Sequence, residues 1–492
     1  MSSLPSAPDV RWSGYRVPVR RALTSLQQLT PEWRDALVYS CSAVFAGVTA
    51  VAVGIPLYRQ WGQMAVAPYA LAAVVMAVTA WRSAVQPRPA RRRWIEAARI
   101  GAFFIVLFGA TVVPLAMEVI WRSEGNAALH VQPEVLVVER AGALADHGKN
   151  PYRVIDRNGH ILIHQSAEPV YELYYPYLPG MVVFGFSSGS KVEARLTDAR
   201  IQFLVFTALI AVLALSRLRP PTDARVRALQ VLTVLPTAAL PLATGGDDMP
   251  VVALMLLGLV ALQRRRPVLA GLALGAASSL KFTAWPLVLL AVWAVRDLKM
   301  HRAIGRYVVG VAAVVVPVVV PVALRNPSAF VDNVVRFPLG LAGVSSPAAS
   351  ALPGHMLVSV IPGIHRPYVV VAGLVGGAAL AYRLWKKPPT GAAGAAALTG
   401  WVMVIAILLA PATRVGYLLY PINLLVWAWM FGQADDPALG TEVAPASGGG
   451  RTRRGSRAGD ESQLSSLSWN NSTENGVVPL DVVGETTTPT SQ

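Results

Sequence analysis

The chain has 492 residues, of which 54% are hydrophobic and 14% are charged, and its formal net charge is +16. In soluble domains about a quarter of the residues are charged, so this composition excludes a soluble globular protein and indicates a polytopic membrane protein. Lys and Arg stand in short clusters between apolar segments, which argues against nucleic acid as a partner. The single cysteine, Cys41, excludes a disulfide framework and a cysteine-based metal site.

The first 34 residues are basic and lack the pattern of a cleaved signal peptide, so we expect residues 1–34 to be a cytoplasmic segment. Twelve apolar segments follow, and they predict an all-α transmembrane domain over residues 35–432. The segment 267–296 fits two short spans or one long tilted helix. The twelve predicted spans are 35–56, 68–82, 99–121, 200–217, 227–244, 249–263, 267–281, 284–296, 306–324, 367–383, 391–411 and 415–431.

The basic clusters decide the predicted orientation. With twelve spans every cluster falls on one side of the membrane, which the positive-inside rule assigns to the cytoplasm. This predicts a plasma-membrane protein with both termini in the cytoplasm and long outer loops at 122–199 and 325–366. The heavy use of Ala, Val, Arg, Gly and Pro is typical of a GC-rich bacterium, so we expect the bacterial plasma membrane. Residues 178–189 are apolar but too short to span, so we expect an interfacial or re-entrant helix there, and another near 355–362.

The last segment, 433–492, is rich in Ser, Thr and Gly and has no apolar periodicity. This composition predicts a disordered cytoplasmic tail. Its basic patch, from Arg451 to Arg457, is of a kind that contacts anionic membrane lipid.

The predicted outer loop 122–199 opens with three acids, Glu134, Glu139 and Asp146. A carboxylate at a membrane surface can take the proton of a hydroxyl and act as a general base, particularly when it is partly desolvated. The alternative is that each acid only solvates the loop.

The run from Glu134 to Gly148-Lys-Asn-Pro151-Tyr152 resembles the first outer loop of the multi-pass GT-C glycosyltransferases. It is most similar to the actinobacterial polyprenol-phosphate-mannose-dependent α-1,2-mannosyltransferases, glycosyltransferase family 87. By this resemblance Glu134 occupies the place of the catalytic acid, although the family usually has Asp there and an aromatic residue at the place of Val138. Tyr174-Tyr175-Pro176-Tyr177 resembles the family's Tyr-Pro-Pro segment, and its aromatic rings could stack on sugars or form an interfacial belt.

Two further elements carry charge at predicted outer ends of spans. Asp247 and Asp248 could bind a divalent metal or acceptor hydroxyls, or could cap the following helix, and capping is favoured for Asp248. Lys281 lies between two apolar half-segments, where a lysine costs about 2.5–3.5 kcal/mol at mid-bilayer. It could snorkel to the surface. Lys281 also resembles the family's Lys-x-x-x-Pro element, which implies a contact with the phosphate of a lipid-linked donor.

The last outer turn, Arg414-Val-Gly-Tyr417-Leu-Leu-Tyr420-Pro, resembles the family's Arg-x-Gly-Tyr…Tyr-Pro element. The resemblance implies a second phosphate contact from Arg414, with sugar contacts from the tyrosines. Arg336 and His355 are weaker candidates on loop 325–366, which we interpret as a lid. The residues predicted to bind substrate are Asp247, Asp248, Glu139, Tyr152, Tyr175, Tyr417, Tyr420 and Arg336.

The resemblance implies an inverting glycosyltransferase that moves a sugar from a polyprenyl monophosphate to a cell-envelope glycolipid or lipoglycan, and the family's donor implies that this sugar is mannose. No cofactor is required by this scheme, although a divalent metal is compatible with it. The alternatives are a transporter or flippase for lipid-linked sugars, which would use the same charges without making a bond, and a non-catalytic scaffold. The sequence does not specify the acceptor, the linkage or the oligomeric state.

Overall fold

The computed structural model describes residues 29–85, 91–125, 129–152, 170–189, 195–218, 222–342, 344 and 347–434. The predicted cytoplasmic tail, apart from its first two residues, and residues 1–28 of the leader lie outside the described residues. Seventeen α-helices are present in this part of the chain. They are α1 (Pro31–Ala52), α2 (Pro56–Val85), α3 (Arg91–Val106), α4 (Val113–Glu124), α5 (Pro133–Asp146), α6 (Ala199–Ser216), α7 (Thr222–Leu229), α8 (Pro236–Thr244), α9 (Asp248–Gln263), α10 (Pro267–Leu280), α11 (Trp285–Asp297), α12 (Ala303–Arg325), α13 (Pro327–Val331), α14 (Pro353–Val360), α15 (His365–Lys386), α16 (Gly391–Leu409) and α17 (Leu419–Ala434).

The described residues form no β-sheet, and one isolated bridge joins Ala349 to Thr413. The all-α fold class predicted from composition is therefore confirmed. Each of the twelve predicted spans coincides with a helix or with two helices joined by a π turn. Within the described residues, nine helical segments are long and apolar enough to cross a membrane.

The other three predicted spans correspond to α9, α10 and α11, which have 16, 14 and 13 residues. The segment 267–296 is thus two helices, because the chain leaves helical geometry at Lys281, whose backbone is extended. At 1.5 Å per residue, α9 and α10 are only about 24 and 21 Å long. Both are shorter than a bilayer's hydrocarbon core, which is about 30 Å thick.

Two of the spans are interrupted by a π turn, and side chains from α2 bind at both turns. The Trp61 indole N–H donates to the Ala110 carbonyl at 2.8 Å, within the π turn Leu107–Val112. The Tyr69 hydroxyl donates to the Val234 carbonyl at 2.5 Å, at the end of the π turn Gln230–Val234. An inserted side chain that binds a helix carbonyl is a usual companion of such bulges.

Apolar packing forms two cores. One joins helices α1–α4 with α8. The larger one joins the other spans, except α15, with α5 and the 3-10 helix Pro179–Gly189, and α15 has no buried residue. That 3-10 helix is the predicted non-spanning segment 178–189, and α14 corresponds to the predicted segment 355–362. The 3-10 helix touches α5 backbone to backbone, since a Cβ added at Gly142 would lie 2.1 Å from the carbonyl carbon of Gly185. This contact fixes α5 against the bundle.

The two ends of the bundle differ in their polar contacts. At one end, hereafter the basic end, Arg99 donates to Asp35 at 2.5 Å and to Asp223 at 2.7 Å. Arg264 and Arg265 at the α9–α10 turn bind the carbonyls of Arg217 and Leu298, so the basic turns gather there. The opposite end, hereafter the loop end, carries α5 and residues 170–189.

Candidate active site

The start of α5 is anchored at the loop end of the bundle. Pro133 occupies its first turn, where a missing N–H costs nothing, and Gln132 precedes it in extended geometry. The Gln132 side-chain amide donates to the Tyr58 hydroxyl at 2.9 Å and to the Thr244 hydroxyl at 2.8 Å. These bonds hold the first turn of α5 to the beginning of α2 and the end of α8, and so they fix the position of Glu134.

Glu134 pairs with Arg414 across 280 positions of sequence. Its Oε1 accepts a hydrogen bond from Arg414 Nη1. Its Oε2 is buried and has no hydrogen-bond partner among the described residues. Burial works against the charged form of Arg414, but the Glu134 carboxylate outweighs it and raises the pKa of Arg414 above its usual value. The guanidinium is therefore a permanent cation at this position.

Lys281 forms a second ion group at the open end of the α9–α10 hairpin, opposite the turn that carries Arg264 and Arg265. Its Nζ donates to Asp247 Oδ2 at 2.7 Å and to Asp248 Oδ1 at 2.5 Å, and its side chain is 11% exposed. Because α9 begins where α10 ends, the antiparallel hairpin brings these three residues together.

This geometry corrects two interpretations of the sequence. Lys281 does not snorkel to the surface, because two buried carboxylates supply its partners within the bundle. Asp247 stands at the N-cap of α9 without a capping bond, and the Asp248 carboxylate binds Lys281 and Tyr420. Both acids therefore pair with Lys281, and Asp248 also lies in the first turn of α9, where its charge opposes the helix dipole.

Tyrosines surround the Lys281 group. The Tyr420 hydroxyl donates to Asp248 Oδ1 at 2.5 Å and accepts from the Thr283 hydroxyl at 2.7 Å. The Lys281 ammonium lies 5.2 Å from the centre of the Tyr177 ring and 5.8 Å from that of Tyr417. Both distances suit cation–π attraction, which stabilises a charge that is removed from water.

Tyr177 lies beside the Lys281 group, with its ring centre 5.2 Å from the ammonium. Burial raises the pKa of its phenol well above the usual value, and the negative charges of Asp247 and Glu134 raise it further. The Tyr177 phenol is therefore neutral, and the charges of both ion groups act on it. Glu134, Arg414, Lys281, Asp247 and Asp248, with the rings of Tyr177, Tyr417 and Tyr420, form one cluster, called the site cluster below.

Four predicted site residues lie outside direct contact with these charges. The Tyr152 hydroxyl donates to the Tyr177 carbonyl at 2.9 Å, and the buried Tyr175 ring packs 5.3 Å from the Tyr177 ring. Both residues therefore contact Tyr177 and not the charged groups. The Tyr175 hydroxyl is buried without a partner among the described residues. Arg336 bonds Asp332 at 2.6 Å with a side chain that is 58% exposed.

The fourth is Glu139, whose two oxygens accept from Arg122 at 3.0 and 2.6 Å. The backbone N–H of Ala199 also donates to Glu139. His355, the weaker candidate, binds the Pro411 carbonyl at 2.8 Å. The structure thus gives Glu139 and Arg336 other partners instead of placing them in the site cluster.

Sequence reasoning missed Gln132, Tyr58 and Tyr177 as site residues, and also Asn333. The Asn333 side chain accepts from the Tyr175 backbone N–H at 2.8 Å and donates to the Ala329 carbonyl at 2.8 Å, so it ties loop 325–366 to the tyrosine segment. Gln132 lies two residues before Glu134, and Tyr177 lies in the tyrosine segment that resembles the family's Tyr-Pro-Pro element. These positions were the signals in the sequence that could have identified them. Tyr58 gives no sequence signal, because it lies in an ordinary apolar helix.

The described part of the chain holds no group of three or more His, Cys, Asp or Glu side chains placed to share a metal ion. Asp247 and Asp248 are the two adjacent carboxylates of the site cluster, and both bind the Lys281 ammonium. A divalent ion would have to compete with that ammonium for them.

The family model of glycosyltransferase family 87 matches residues 193–411. The match covers somewhat less than half of the chain and includes Asp247, Asp248 and Lys281, whereas Glu134 and Arg414 lie outside it. No curated protein and no solved structure matches the chain. The similarity supports the resemblance found in the motifs, and together with the nine candidate spans it supports a membrane glycosyltransferase.

Proposed function

We propose that the protein is a member of glycosyltransferase family 87 that transfers a sugar from a polyprenyl monophosphate to a cell-envelope glycolipid or lipoglycan. The sugar we propose is mannose, as in the α-1,2-mannosyltransferases that the first motif resembles. One observation carries the proposal: Glu134, whose buried Oε2 has no hydrogen-bond partner among the described residues, stands in a cluster with two cations and three tyrosines. The cluster thus brings together the groups that can act as a base and as phosphate ligands once their present pairs open.

In the proposed reaction, the acceptor's hydroxyl oxygen attacks the anomeric carbon of the donor from the face opposite the phosphate. Glu134 takes the hydroxyl proton as the new carbon–oxygen bond forms. The bond from the anomeric carbon to the phosphate oxygen breaks, and its electron pair leaves with the polyprenyl phosphate. Arg414 and Lys281 stabilise the charge on that phosphate, which is the role of fixed cations at a leaving group. Inversion at the anomeric carbon follows from this single displacement.

The lengths of α9 and α10 support a donor that is held by a lipid. Both helices are shorter than the hydrocarbon core. If the turn between them lies at the membrane surface of the basic end, Asp248 and Lys281 lie inside the membrane, below its opposite surface. A phosphate attached to an isoprenoid chain can reach such a depth, because its tail remains in the membrane. The buried tyrosines beside Lys281 offer aromatic faces for the sugar.

The positions of the basic turns support an orientation. Arg264 and Arg265 bind carbonyls of neighbouring turns at the basic end, while the site cluster lies at the loop end. With the basic end in the cytoplasm, as the positive-inside rule requires, the site cluster faces the extracytoplasmic side of the bacterial plasma membrane. Both termini are then cytoplasmic.

The test uses purified protein in lipid nanodiscs with polyprenyl-phosphate mannose carrying a radiolabelled sugar, and with glycolipids extracted from a bacterial envelope as acceptors. We expect the label to appear in a glycolipid that is one hexose heavier by mass spectrometry. Movement of intact donor across a vesicle membrane without any labelled product would support the transporter alternative instead. No transfer from any polyprenyl-phosphate sugar by well-folded protein would reject the proposal.

A further inference from the structure

The two cations of the site cluster are already neutralised by the protein's own carboxylates. Arg414 binds Glu134, and Lys281 binds both Asp247 and Asp248. Three carboxylates face two cations, so the five groups carry a formal charge of −1 when all are ionised. An anionic phosphate that entered this arrangement unchanged would meet a negative surplus, and it would be repelled. Binding of a phosphate therefore requires that a cation changes partner.

The base is not available in this arrangement either. Oε1 of Glu134 is occupied by the Arg414 guanidinium, and Oε2 is buried away from solvent. An acceptor hydroxyl must reach one of these oxygens at hydrogen-bond distance to lose its proton. The pair must therefore open before Glu134 can act, which links the state of the base to the state of Arg414.

We propose, on the basis of the function proposed above, that Arg414 exchanges partners: it leaves Glu134 for the donor phosphate, and this exchange frees the carboxylate. Arg414 then has two roles, since it blocks the base in the absence of donor and stabilises the leaving group in its presence. The order of events follows from the exchange, because the donor must bind before the acceptor hydroxyl can be deprotonated.

Arg414 is the cation suited to such an exchange, and Lys281 is not. Arg414 bonds one carboxylate through one nitrogen, and its side chain is 31% exposed, in the extended residue before the 3-10 helix Val415–Leu418. Lys281 holds two carboxylates, is 11% exposed and is enclosed by two tyrosine rings. Its partner Asp248 is fixed further by Tyr420. We therefore expect Lys281 to keep its partners while Arg414 changes its own.

The exchange makes an unusual prediction, which is a gain of binding when the proposed base is removed. The probe is farnesyl phosphate, a short isoprenoid phosphate without a sugar, titrated by calorimetry into nanodiscs that contain the full-length protein. Glu134→Gln removes the carboxylate that competes for Arg414, so we expect farnesyl phosphate to bind about tenfold more tightly. Arg414→Gln should weaken binding at least tenfold. In the double variant the gain from Glu134→Gln should disappear, because no guanidinium remains to be freed.

Matched controls come from the same end of the bundle. Glu124→Gln removes an exposed carboxylate that pairs with Arg195 at 3.7 Å, and Arg325→Gln removes an exposed guanidinium that bonds the Gly148 carbonyl. Neither variant should change the affinity for farnesyl phosphate by more than twofold. Farnesol, which has no charge, should bind wild type and Glu134→Gln equally.

Unchanged or weaker binding of farnesyl phosphate by Glu134→Gln would overturn the exchange, since Arg414 would then hold the base and a phosphate together. The proposed function is tested separately, because farnesyl phosphate carries no sugar to transfer. Tighter binding by Glu134→Gln with no sugar transfer by wild type would leave the exchange standing and reject the transferase. Transfer by wild type without tighter binding by the variant would do the reverse.

Discussion

Glu134 and Glu139 stand on the same helix, five positions apart, and the structure gives them opposite surroundings. Both oxygens of Glu139 accept from Arg122, and one also accepts from the Ala199 backbone. Glu134 has one oxygen on Arg414 and the other buried without a partner among the described residues. The difference teaches that partial burial alone does not identify a reactive carboxylate. Unmet hydrogen-bonding capacity beside other charged groups is the feature that separates them.

The networks around the two glutamates differ in the same way. Glu139 belongs to a closed chain in which Arg122 also binds Asp198 at 2.7 Å, and Asp198 accepts two side-chain bonds from the buried Arg200. Arg200 then donates to the His130 carbonyl at 2.7 Å. This network joins α4, α5 and α6, so it holds the loop end together. The site cluster instead contains an unused oxygen and an ion pair that is partly exposed.

The largest effect expected separates the two glutamates by activity. Glu134→Gln should lower the rate of sugar transfer by about 10²–10⁴-fold, the usual contribution of a general base. Glu139→Gln should lower the melting temperature while each folded molecule keeps most of its transfer rate, because its carboxylate holds helices together. Transfer assays and thermal unfolding in nanodiscs measure both. Equal loss of transfer in the two variants would remove the distinction.

The next largest effect is expected at Lys281, because its removal leaves two buried carboxylates without their cation. Lys281→Met should destabilise the protein by about 3–5 kcal/mol, the cost of leaving buried charge unpaired. Adding Asp247→Asn and Asp248→Asn should restore most of the stability, since no charge remains to be paired. Chemical denaturation measures the stability. Titration should show that the triple variant, although stable, binds farnesyl phosphate more weakly than wild type does. Normal binding there would argue against any phosphate role for Lys281.

Asp198 tests the structural network through pH. Burial alone would raise its pKa, but hydrogen bonds and charge from Arg200 and then Arg122 lower it below the ordinary value of 3.8. A carboxyl group with a lowered pKa in the folded state contributes stability above its ordinary pKa and loses it as pH falls through the folded value. Asp198→Asn should therefore cost about 3–5 kcal/mol at neutral pH. It should also flatten the loss of thermal stability below about pH 4.

Arg336 should give the smallest effect. It forms an exposed pair with Asp332, one helical turn away, and such pairs contribute about 0.2–1 kcal/mol. Arg336→Gln should leave the melting temperature and the Michaelis constant for donor nearly unchanged. A large rise in that constant would return Arg336 to the site, with loop 325–366 moving over the donor.

Much of the fold could be predicted from the sequence because apolar periodicity and basic turns are local signals. Helices lie at all twelve predicted spans, nine helical segments of the described residues are long and apolar enough to cross a membrane, and Pro179–Gly189 is a 3-10 helix where a non-spanning segment was predicted. The boundary at 35 was set four residues late, because α1 begins at Pro31 and includes Asp35. Asp35 is tolerated inside a span since Arg99 and Arg227 neutralise it, and those partners lie far away in sequence.

The site could be predicted only as a set of separate charges. Motif resemblance selected Glu134, Lys281 and Arg414, and all three lie in the site cluster. Their pairing could not be predicted, because it depends on how α5 meets the last turn and on how the α9–α10 hairpin closes. The same limitation hid Tyr58 and Tyr177, which acquire their roles through packing rather than through their own sequence context.

The most direct test is a cryo-electron microscopy structure of the Glu134→Gln variant with a polyprenyl-phosphate sugar bound. We expect the phosphate within hydrogen-bond distance of Arg414 beside Lys281, with the anomeric carbon facing the side chain at position 134. We also expect a space between the anomeric carbon and the side chain at position 134 that can hold an acceptor hydroxyl about 3–3.5 Å from that carbon. A donor phosphate bound elsewhere in the bundle, with the Lys281 and Arg414 groups untouched, would contradict the account.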